Sequence, residues 1–183
     1  MKVLVMLSGG VESTALVNHA INNGIEVECL HAVYNRKTIT EGIFAKQICE
    51  YYNVPYFEAT FSNERFNQKY SKIPRKDSVW WAAALLTSAP LGGYNEVWFG
   101  MHLEEMSMTA SGPIGMNLML SSVDCEAKLD SPLSKHTKQQ QWNSLPDEVK
   151  QLVTGCGQRF SKDDKPCGKC EKCEEWKKFA ISV

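Results

Sequence analysis

The segment Ser8-Gly9-Gly10-Val11-Glu12-Ser13 combines hydroxyl, glycine and carboxylate residues in a pattern that can hold a phosphate group. Glycines let the backbone approach an anion closely and adopt positive φ. If a helix begins here, the amides of Gly10 to Ser13 are unpaired donors of its first turn, and the helix dipole favours negative charge beside them. The hydroxyls of Ser8 and Ser13 offer two more donors. We therefore predict a phosphate-binding loop.

This loop differs from the two common nucleotide-binding patterns. A Walker loop requires Lys followed by Ser or Thr after its last glycine, and neither follows Gly10. A dinucleotide-binding turn requires a third glycine where this chain has Ser13. A carboxylate such as Glu12 beside phosphates suits a bridging Mg²⁺ ion. The alternative is an ordinary strand–turn–helix junction in which the helix dipole stabilises Glu12.

A second group of reactive residues lies near the end of the chain, where four cysteines follow the pattern C-x10-C-x2-C-x2-C: Cys156, Cys167, Cys170 and Cys173. Four thiolates can close a tetrahedral zinc site, and such a site is structural because no position stays open. An iron–sulfur cluster is the first alternative, although the ferredoxin pattern has its fourth cysteine downstream. Four unrelated thiols are the other alternative.

The elements that must position these residues alternate between strands and helices. The run Lys2–Leu7 is apolar without alternation, which is typical of a central strand in a parallel sheet. Further strands are predicted at 25–33, 55–61 and 95–100, and helices at 13–22, 39–52 and 78–89. This order predicts an α/β fold, a parallel twisted sheet with helices on both faces. Ligands of such folds bind at the carboxyl ends of the strands.

The remainder of the chain is less regular. Residues 103–131 show no clear periodicity, so we expect an irregular insertion with a short helix near 116–122. Two short helices are predicted at 138–145 and 146–153. The three cysteines outside the cluster are expected to be small buried residues: Cys29, Cys49 and Cys125.

Length and composition limit the alternatives. A chain of 183 residues fits one domain, 1–183, with a metal-binding subregion at 154–178. A net charge of −1 argues against a stable nucleic-acid partner. No run is long enough to span a membrane, and no signal peptide is recognisable. Seven cysteines are consistent with a reducing, cytoplasmic environment, in which metal binding is more common than disulfides.

The loop resembles the PP-loop of the ATP pyrophosphatase superfamily, whose usual form is Ser-Gly-Gly-x-Asp-Ser. Together with Cys167-Gly168-Lys169-Cys170-Glu171-Lys172-Cys173, it resembles the 7-cyano-7-deazaguanine synthase family. Weaker similarity joins these ends. The segment from Ile73 to Ser78 is similar to the family's Val-Pro-Ala-Arg-Asn-Thr, and Ser131-Pro132-Leu133 followed by Lys138 is similar to its Pro-Leu and Thr-Lys pair.

The resemblance implies an adenine nucleotide α-hydrolase-like fold and an ATP-dependent ligase. Such an enzyme adenylates 7-carboxy-7-deazaguanine and aminates it with ammonia towards the nitrile preQ0, releasing AMP and pyrophosphate. The implied cofactors are ATP, Mg and Zn, and a homodimer stays open. Glu12 would take the metal-linked acidic position, Arg75, Lys76 and Lys138 would steady the α-phosphate, and the four cysteines would bind zinc. The implied nucleotide-binding residues are Leu7, Ser8, Gly9, Gly10, Val11, Glu12, Ser13 and Thr14.

Departures from the family pattern leave other functions open. A Tyr-Pro-Asp-Cys-Arg stretch that contributes to substrate recognition in the family has no counterpart in residues 106–112, and Glu12 replaces the usual Asp. The reaction could stop at the amide or act on another carboxylate. A tRNA substrate is disfavoured by the neutral charge. A PP-loop domain without activity, serving as a zinc-knuckle binding module, is the alternative outside enzymes.

Overall fold

The computed structural model describes residues 1–33, 36–60, 93–104, 117, 121, 127–156 and 167–180. Arg75, Lys76, Cys125 and the predicted helix at 78–89 lie outside the described residues, as does most of the one near 116–122. In the described part, ten elements follow one another: β1 Lys2–Met6, α1 Val11–Asn22, β2 Glu26–Val33, α2 Arg36–Tyr52, β3 Tyr56–Thr60, β4 Glu96–Phe99, β5 Lys128–Asp130, α3 Lys138–Asn143, α4 Asp147–Leu152 and α5 Glu171–Ala180.

The five strands form one parallel sheet in the order β3-β2-β1-β4-β5. Strand β1 lies in the centre, as its apolar run predicts, with Val3 opposite Val27 of β2 and Glu96 of β4. The chain adds β2 and β3 on one side of β1 and then β4 and β5 on the other. The strand order therefore reverses between β1 and β4, which is where ligands of open α/β sheets bind.

Both faces of the sheet are buried at its centre, along β1 and β4. On one face, Val3, Val5 and Val27 pack against helices α1 to α4 in a single apolar cluster. On the other face, Leu4 and Val97 belong to a second buried cluster. Burial on both faces explains why β1 has no polar alternation. Cys29 and Cys49 are buried in the first cluster, as predicted.

Two elements were not predicted. The expectation of irregular structure throughout 103–131 was wrong for Lys128–Asp130, which forms β5. This strand is three residues long and has one buried apolar side chain, Leu129, so it lacks a periodic signal. The Asn117 amide supports it, because it accepts from the Leu129 N–H and donates to the Leu129 carbonyl, both at 2.9 Å.

The second unpredicted element is α5, which carries Cys173 and follows Cys170 directly. Its sequence is rich in Lys and Glu, and no secondary structure was predicted for this segment. No helix in the described part of the chain is long and apolar enough to span a membrane.

Candidate active site and metal centre

The loop after β1 is shaped by Gly9, where a larger residue would be strained. Gly9 has φ +77°, in the left-handed region, and a Cβ there would lie 3.1 Å from Phe44 Cβ and 3.3 Å from the Ala45 nitrogen. The loop therefore packs directly against α2. Gly10 is the residue before α1, and no side chain caps this helix. The amides of the first turn thus remain available to an anion.

Hydroxyl groups hold the loop from within. Ser13 Oγ lies 3.1 Å from Ser8 Oγ and accepts from the Ser8 N–H at 3.2 Å. Thr14 Oγ1 donates to the Gly10 carbonyl at 2.7 Å. Ser13 and Thr14 are both buried. These two hydroxyls fix the turn, so the N–H groups in the first turn of α1 keep their orientation.

The end of β1 is anchored below the loop. Leu7 is buried, and its carbonyl is 2.8 Å from Nδ1 of the buried His31 on β2. The Leu7 N–H donates to the Leu30 carbonyl at 2.9 Å. Leu7 therefore belongs to the support of the loop and does not line the cavity above it.

Gly100 brings the segment after β4 against the start of α1. A Cβ at Gly100 would lie 2.8 Å from both Glu12 Cβ and the Ser13 nitrogen, which no side chain tolerates. This close approach places His102 beside the loop, with Nε2 3.7 Å from Glu12 Oε1 and Nδ1 2.6 Å from Glu104 Oε2. The segment that follows β4, next to the point where the strand order reverses, thus contributes further polar side chains to the site.

A cavity of about 220 Å³ opens above the loop. One wall comes from Ser8, Gly10, Val11 and Glu12, and the opposite wall comes from the C-terminal part of the chain, including Lys138, Cys156 and Glu175. The described structure therefore joins the glycine loop and the cysteine region around one space. Gly9, Ser13 and Thr14 lie behind the cavity wall.

Lys138 is the central charge of this cavity. Its Nζ lies 2.7 Å from Glu12 Oε1 and 2.9 Å from Glu175 Oε1, and its side chain is only 12% exposed. Burial alone would lower the pKa of Lys138, but the carboxylates of Glu12 and Glu175 outweigh that effect and raise the pKa above its ordinary value. The lysine is therefore held as a cation beside the glycine loop.

The position of Lys138 is fixed by the start of α3. Thr137 and Gln140 form a capping box, in which Thr137 Oγ1 accepts from the Gln140 N–H at 3.1 Å and Gln140 Oε1 accepts from the Thr137 N–H at 2.8 Å. The buried Gln141 donates to the carbonyls of Met101 and Leu133 at 2.8 and 3.0 Å. Helix α3 is thus tied to the segment that follows β4.

The cavity wall opposite the loop is held in place by the indole ring of Trp176 and by a backbone hydrogen bond from Thr154. The Thr154 N–H donates to the Gly9 carbonyl at 2.8 Å. Trp176 of α5 covers Gly155, where a Cβ would lie 2.1 Å from the ring, and it packs edge-on against Trp142 with ring centroids 5.6 Å apart. Helix α5 therefore contacts the segment that leads to Cys156.

The four cysteines come together as the spacing predicts. Their sulfur atoms all lie within 4.8 Å of one another, and the group could hold a metal ion. Cys167 Sγ and Cys173 Sγ are 3.9 Å apart, and the Cys167 N–H donates to Cys156 Sγ at 3.3 Å. Gly168 has φ +69° in the turn between the first two ligands of the C-terminal group. A sulfur set this compact fits a bound cation, because neighbouring thiolates repel one another without one.

Several residues of this site carried no sequence signal of their own. Gly155, Glu175 and Trp176 act through contacts with residues far away in the chain, so no local pattern marks them. Gly100 could have been found, because a glycine directly after a strand at the carboxyl edge of a parallel sheet indicates close approach of backbone or ligand.

The comparisons with known proteins agree with this architecture. The family described as "Queuosine biosynthesis protein QueC" matches residues 2–79. A 7-cyano-7-deazaguanine synthase 2 of Rhodopseudomonas palustris is 33% identical over 100 residues, which cover 55% of this chain and 46% of the relative. A 7-cyano-7-deazaguanine synthase of Thermoplasma volcanium is 22% identical, with 94% of this chain and 83% of the relative covered. The chain thus spans under half the length of the first of these relatives.

Two solved structures share the fold. The U34-tRNA thiolase NcsA from Methanococcus maripaludis, described with its 4Fe-4S cluster, has a TM-score of 0.57 and 17% identity, covering 100% of this chain and 66% of that one. The NMN synthetase of Francisella tularensis has a TM-score of 0.58 and 16% identity, covering 90% and 69%.

The sheet order, the glycine loop at its reversal point and these structural neighbours define a protein of the α/β class with a PP-loop-like fold. Within residues 2–79 the chain is similar to the QueC family, and the relatives named 7-cyano-7-deazaguanine synthase share low identity with it.

Proposed function

We propose that this protein uses ATP to activate a carboxylate, which in the family is that of 7-carboxy-7-deazaguanine, and aminates it towards preQ0. The observation that carries this proposal is the cavity in which uncapped helix amides, the Glu12 carboxylate and the Lys138 ammonium face one another. Such a set suits a polyphosphate and its cation better than a neutral ligand.

The glycine loop is proposed to hold the leaving pyrophosphate. Amide N–H groups of the first turn of α1 and the hydroxyl of Ser8 supply donors, and α1 contributes its positive dipole end. Leu7, Ser13 and Thr14 are proposed to act indirectly, since they lie beneath the loop and keep its shape.

Glu12 and Lys138 are proposed to help stabilise the negative charge on the phosphates during the reaction, Glu12 through a bound Mg²⁺ ion and Lys138 directly. Glu12 would bind the Mg²⁺ ion that accompanies ATP, and this ion would neutralise phosphate oxygens. Lys138 would stabilise the charge that develops at the α-phosphate. The same role for Arg75 and Lys76 stays a prediction from the resemblance.

The chemical steps balance without any further reactant. A carboxylate oxygen attacks the α-phosphorus, the bond to the bridging oxygen breaks, and pyrophosphate leaves. Ammonia then attacks the acyl carbon, AMP and a proton leave, and an amide forms. The amide oxygen attacks the α-phosphorus of a second ATP and pyrophosphate leaves, after which loss of AMP and of both protons of the amide nitrogen gives the nitrile. A protein that performs only the first round would release the amide.

We further propose that the cysteine site holds zinc. A single tetrahedral zinc ion with four thiolates places its sulfurs about 3.8 Å apart, close to the 3.9 Å between the sulfurs of Cys167 and Cys173. A four-iron cluster binds each thiolate through a separate iron and needs a wider set. A filled four-thiolate site has a structural role, which here is the support of α5.

Residues 1–183 are proposed to form one domain with 154–178 as its metal-binding subregion. The contacts that support this are the Thr154–Gly9 hydrogen bond and the packing of Trp176 against Trp142. Both join the subregion directly to the body of the protein.

The test is a product analysis by mass spectrometry. Protein incubated with ATP, Mg²⁺, ammonium and 7-carboxy-7-deazaguanine should release AMP and pyrophosphate, and the amide or nitrile should accumulate. The Glu12→Gln variant should lose this activity, whereas Glu26→Gln, an exposed glutamate at the start of β2, should keep it. ADP and phosphate as products would overturn the proposal, and no ATP turnover at all would favour the binding-module alternative.

A further inference from the structure

Lys138 has two carboxylate partners, although one would neutralise it. Glu12 comes from the glycine loop, and Glu175 comes from α5, the helix that carries Cys173. The side chains of Glu12 and Lys138 are 17% and 12% exposed. A lysine this buried loses much of its hydration, so its position depends strongly on the groups that pair with it.

The two carboxylates are not equivalent under the proposed function. Glu12 Oε1 accepts from Lys138, so an incoming cation that takes this carboxylate competes with the lysine. Glu175 reaches Lys138 from a different part of the chain, the C-terminal helix α5. It can therefore keep Lys138 Nζ in the cavity when Glu12 changes partner.

Glu175 is itself held from both sides. Cys173, two residues earlier, belongs to the metal-binding group, and Trp176, the next residue, covers Gly155. A side chain between two fixed neighbours in a helix has a defined origin and loses little freedom when it forms its ion pair.

We propose that Glu175 is a positioning residue that holds the Lys138 ammonium in the nucleotide cavity from the metal-supported helix. This inference rests on the proposed function for the role of Lys138, and on geometry alone for the contact. It assigns the cysteine site a task in the reaction: a metal held by these cysteines would fix the helix from which Glu175 orients the lysine.

The first test compares two adjacent glutamates. Glu175→Gln should lower kcat for AMP formation about tenfold with little change in KM for ATP, as is usual when a group that orients a functional residue is lost. Glu174→Gln is the matched control, because Glu174 is exposed and pairs with Lys177 at 2.8 Å. Glu175→Asp should recover part of the loss. Metal content should stay at the wild-type value in all three variants, which a merely structural role would not predict.

The cause of the loss is tested in a Lys138→Met background. If Glu175 acts through Lys138, Glu175→Gln should have no further effect on kcat there. Equal kcat for Glu175→Gln and Glu174→Gln, or independent effects of Glu175→Gln and Lys138→Met, would overturn the inference.

A thermal-unfolding cycle tests the contact without any activity. Glu12→Gln and Glu175→Gln should each lower Tm slightly, whereas the double variant should lose more than the sum, since the buried lysine then has neither carboxylate. Strictly additive shifts would contradict the shared contact. A wild-type protein that forms no AMP but shows this coupling would overturn the proposed function while the Glu175–Lys138 contact stands.

Discussion

The two walls of the cavity are built by different means. The wall formed by the loop after β1 rests on the central strand of the sheet, on buried hydroxyls and on close backbone packing at Gly9 and Gly100. The opposite wall, with Trp176 and Glu175, depends on side-chain contacts and on four cysteines that could hold a metal ion. The first wall is formed by the sheet and by the start of α1. The second wall is joined to them through side-chain contacts.

This difference assigns the two walls separate tasks in the proposed reaction. Phosphate binding needs donors that do not move, and a parallel sheet with a helix start supplies them. Lys138, which is proposed to face the phosphates, is placed by contacts with Glu12 and Glu175. A change in the second wall is therefore expected to alter catalysis while the first wall stays folded.

Removing a metal bound by the four cysteines should cause the largest difference in amide exchange between the two walls. Chelation at neutral pH should release one metal ion per chain and increase amide exchange in α5 at least about a thousandfold, because metal binding supplies most of the folding free energy of small cysteine sites. Amides of α1 should keep their protection. Hydrogen exchange followed by mass spectrometry measures both.

A Cys170→Ser variant provides the control for this experiment. Its α5 amides should exchange rapidly from the start, and the chelator should change nothing further. If α1 loses protection together with α5, the two walls form one cooperative unit and the distinction between them is wrong.

A smaller effect is expected from filling the close approach within the first wall. Gly100→Ala should destabilise the protein by about 2 kcal/mol, since the new Cβ meets the backbone of α1, which cannot yield. Gly24→Ala is the comparison, because a Cβ there meets nothing within 4 Å and only the φ of +63° is strained, at a cost of about 1 kcal/mol. Urea denaturation compares them, and equal losses would argue against tight contact at Gly100.

The smallest effect concerns alkaline pH and the lysine between the walls. The folded state raises the pKa of Lys138, so its contribution to stability is complete below the unfolded pKa of about 10.4 and is lost as pH rises through the folded pKa. Lys138→Met should therefore weaken the fall in unfolding free energy above about pH 10.

The matched variant is Lys128→Met, an exposed lysine of β5. Tyrosines such as Tyr52, whose pKa is raised chiefly by burial, contribute equally to both proteins. Denaturant titrations at neutral and alkaline pH should give a shallower decline only for Lys138→Met. Identical declines would show that the ion pairs of Lys138 do not respond to pH in this way.

The features that could be predicted from the sequence lie mainly in the first of the two walls. The first wall depends on local pattern, and β1, the glycine turn and the order of α1, β2, α2 and β3 were all predicted within a few residues. The gathering of the four cysteines was predicted from their spacing. The fold of β5 was missed, because Leu129 alone cannot indicate a strand whose stability comes from pairing with β4.

The contacts across the cavity could not be predicted in the same way. Lys138 was chosen from a resemblance, and its distance of 2.7 Å to Glu12 depends on the placement of α3 by Thr137 and Gln141. Glu175 looked like one charge among many in a Lys- and Glu-rich helix. Its neighbourhood is set by the tertiary structure, which local propensity does not encode.

The position of Trp176 has a practical consequence. Its indole borders the cavity and touches Gly155, while Trp98 and Trp142 are buried. Indole emission responds to local polarity and to nearby quenching groups, so the protein carries an intrinsic optical probe at the proposed nucleotide site. Arrival of a ligand can be followed in real time without attaching a dye.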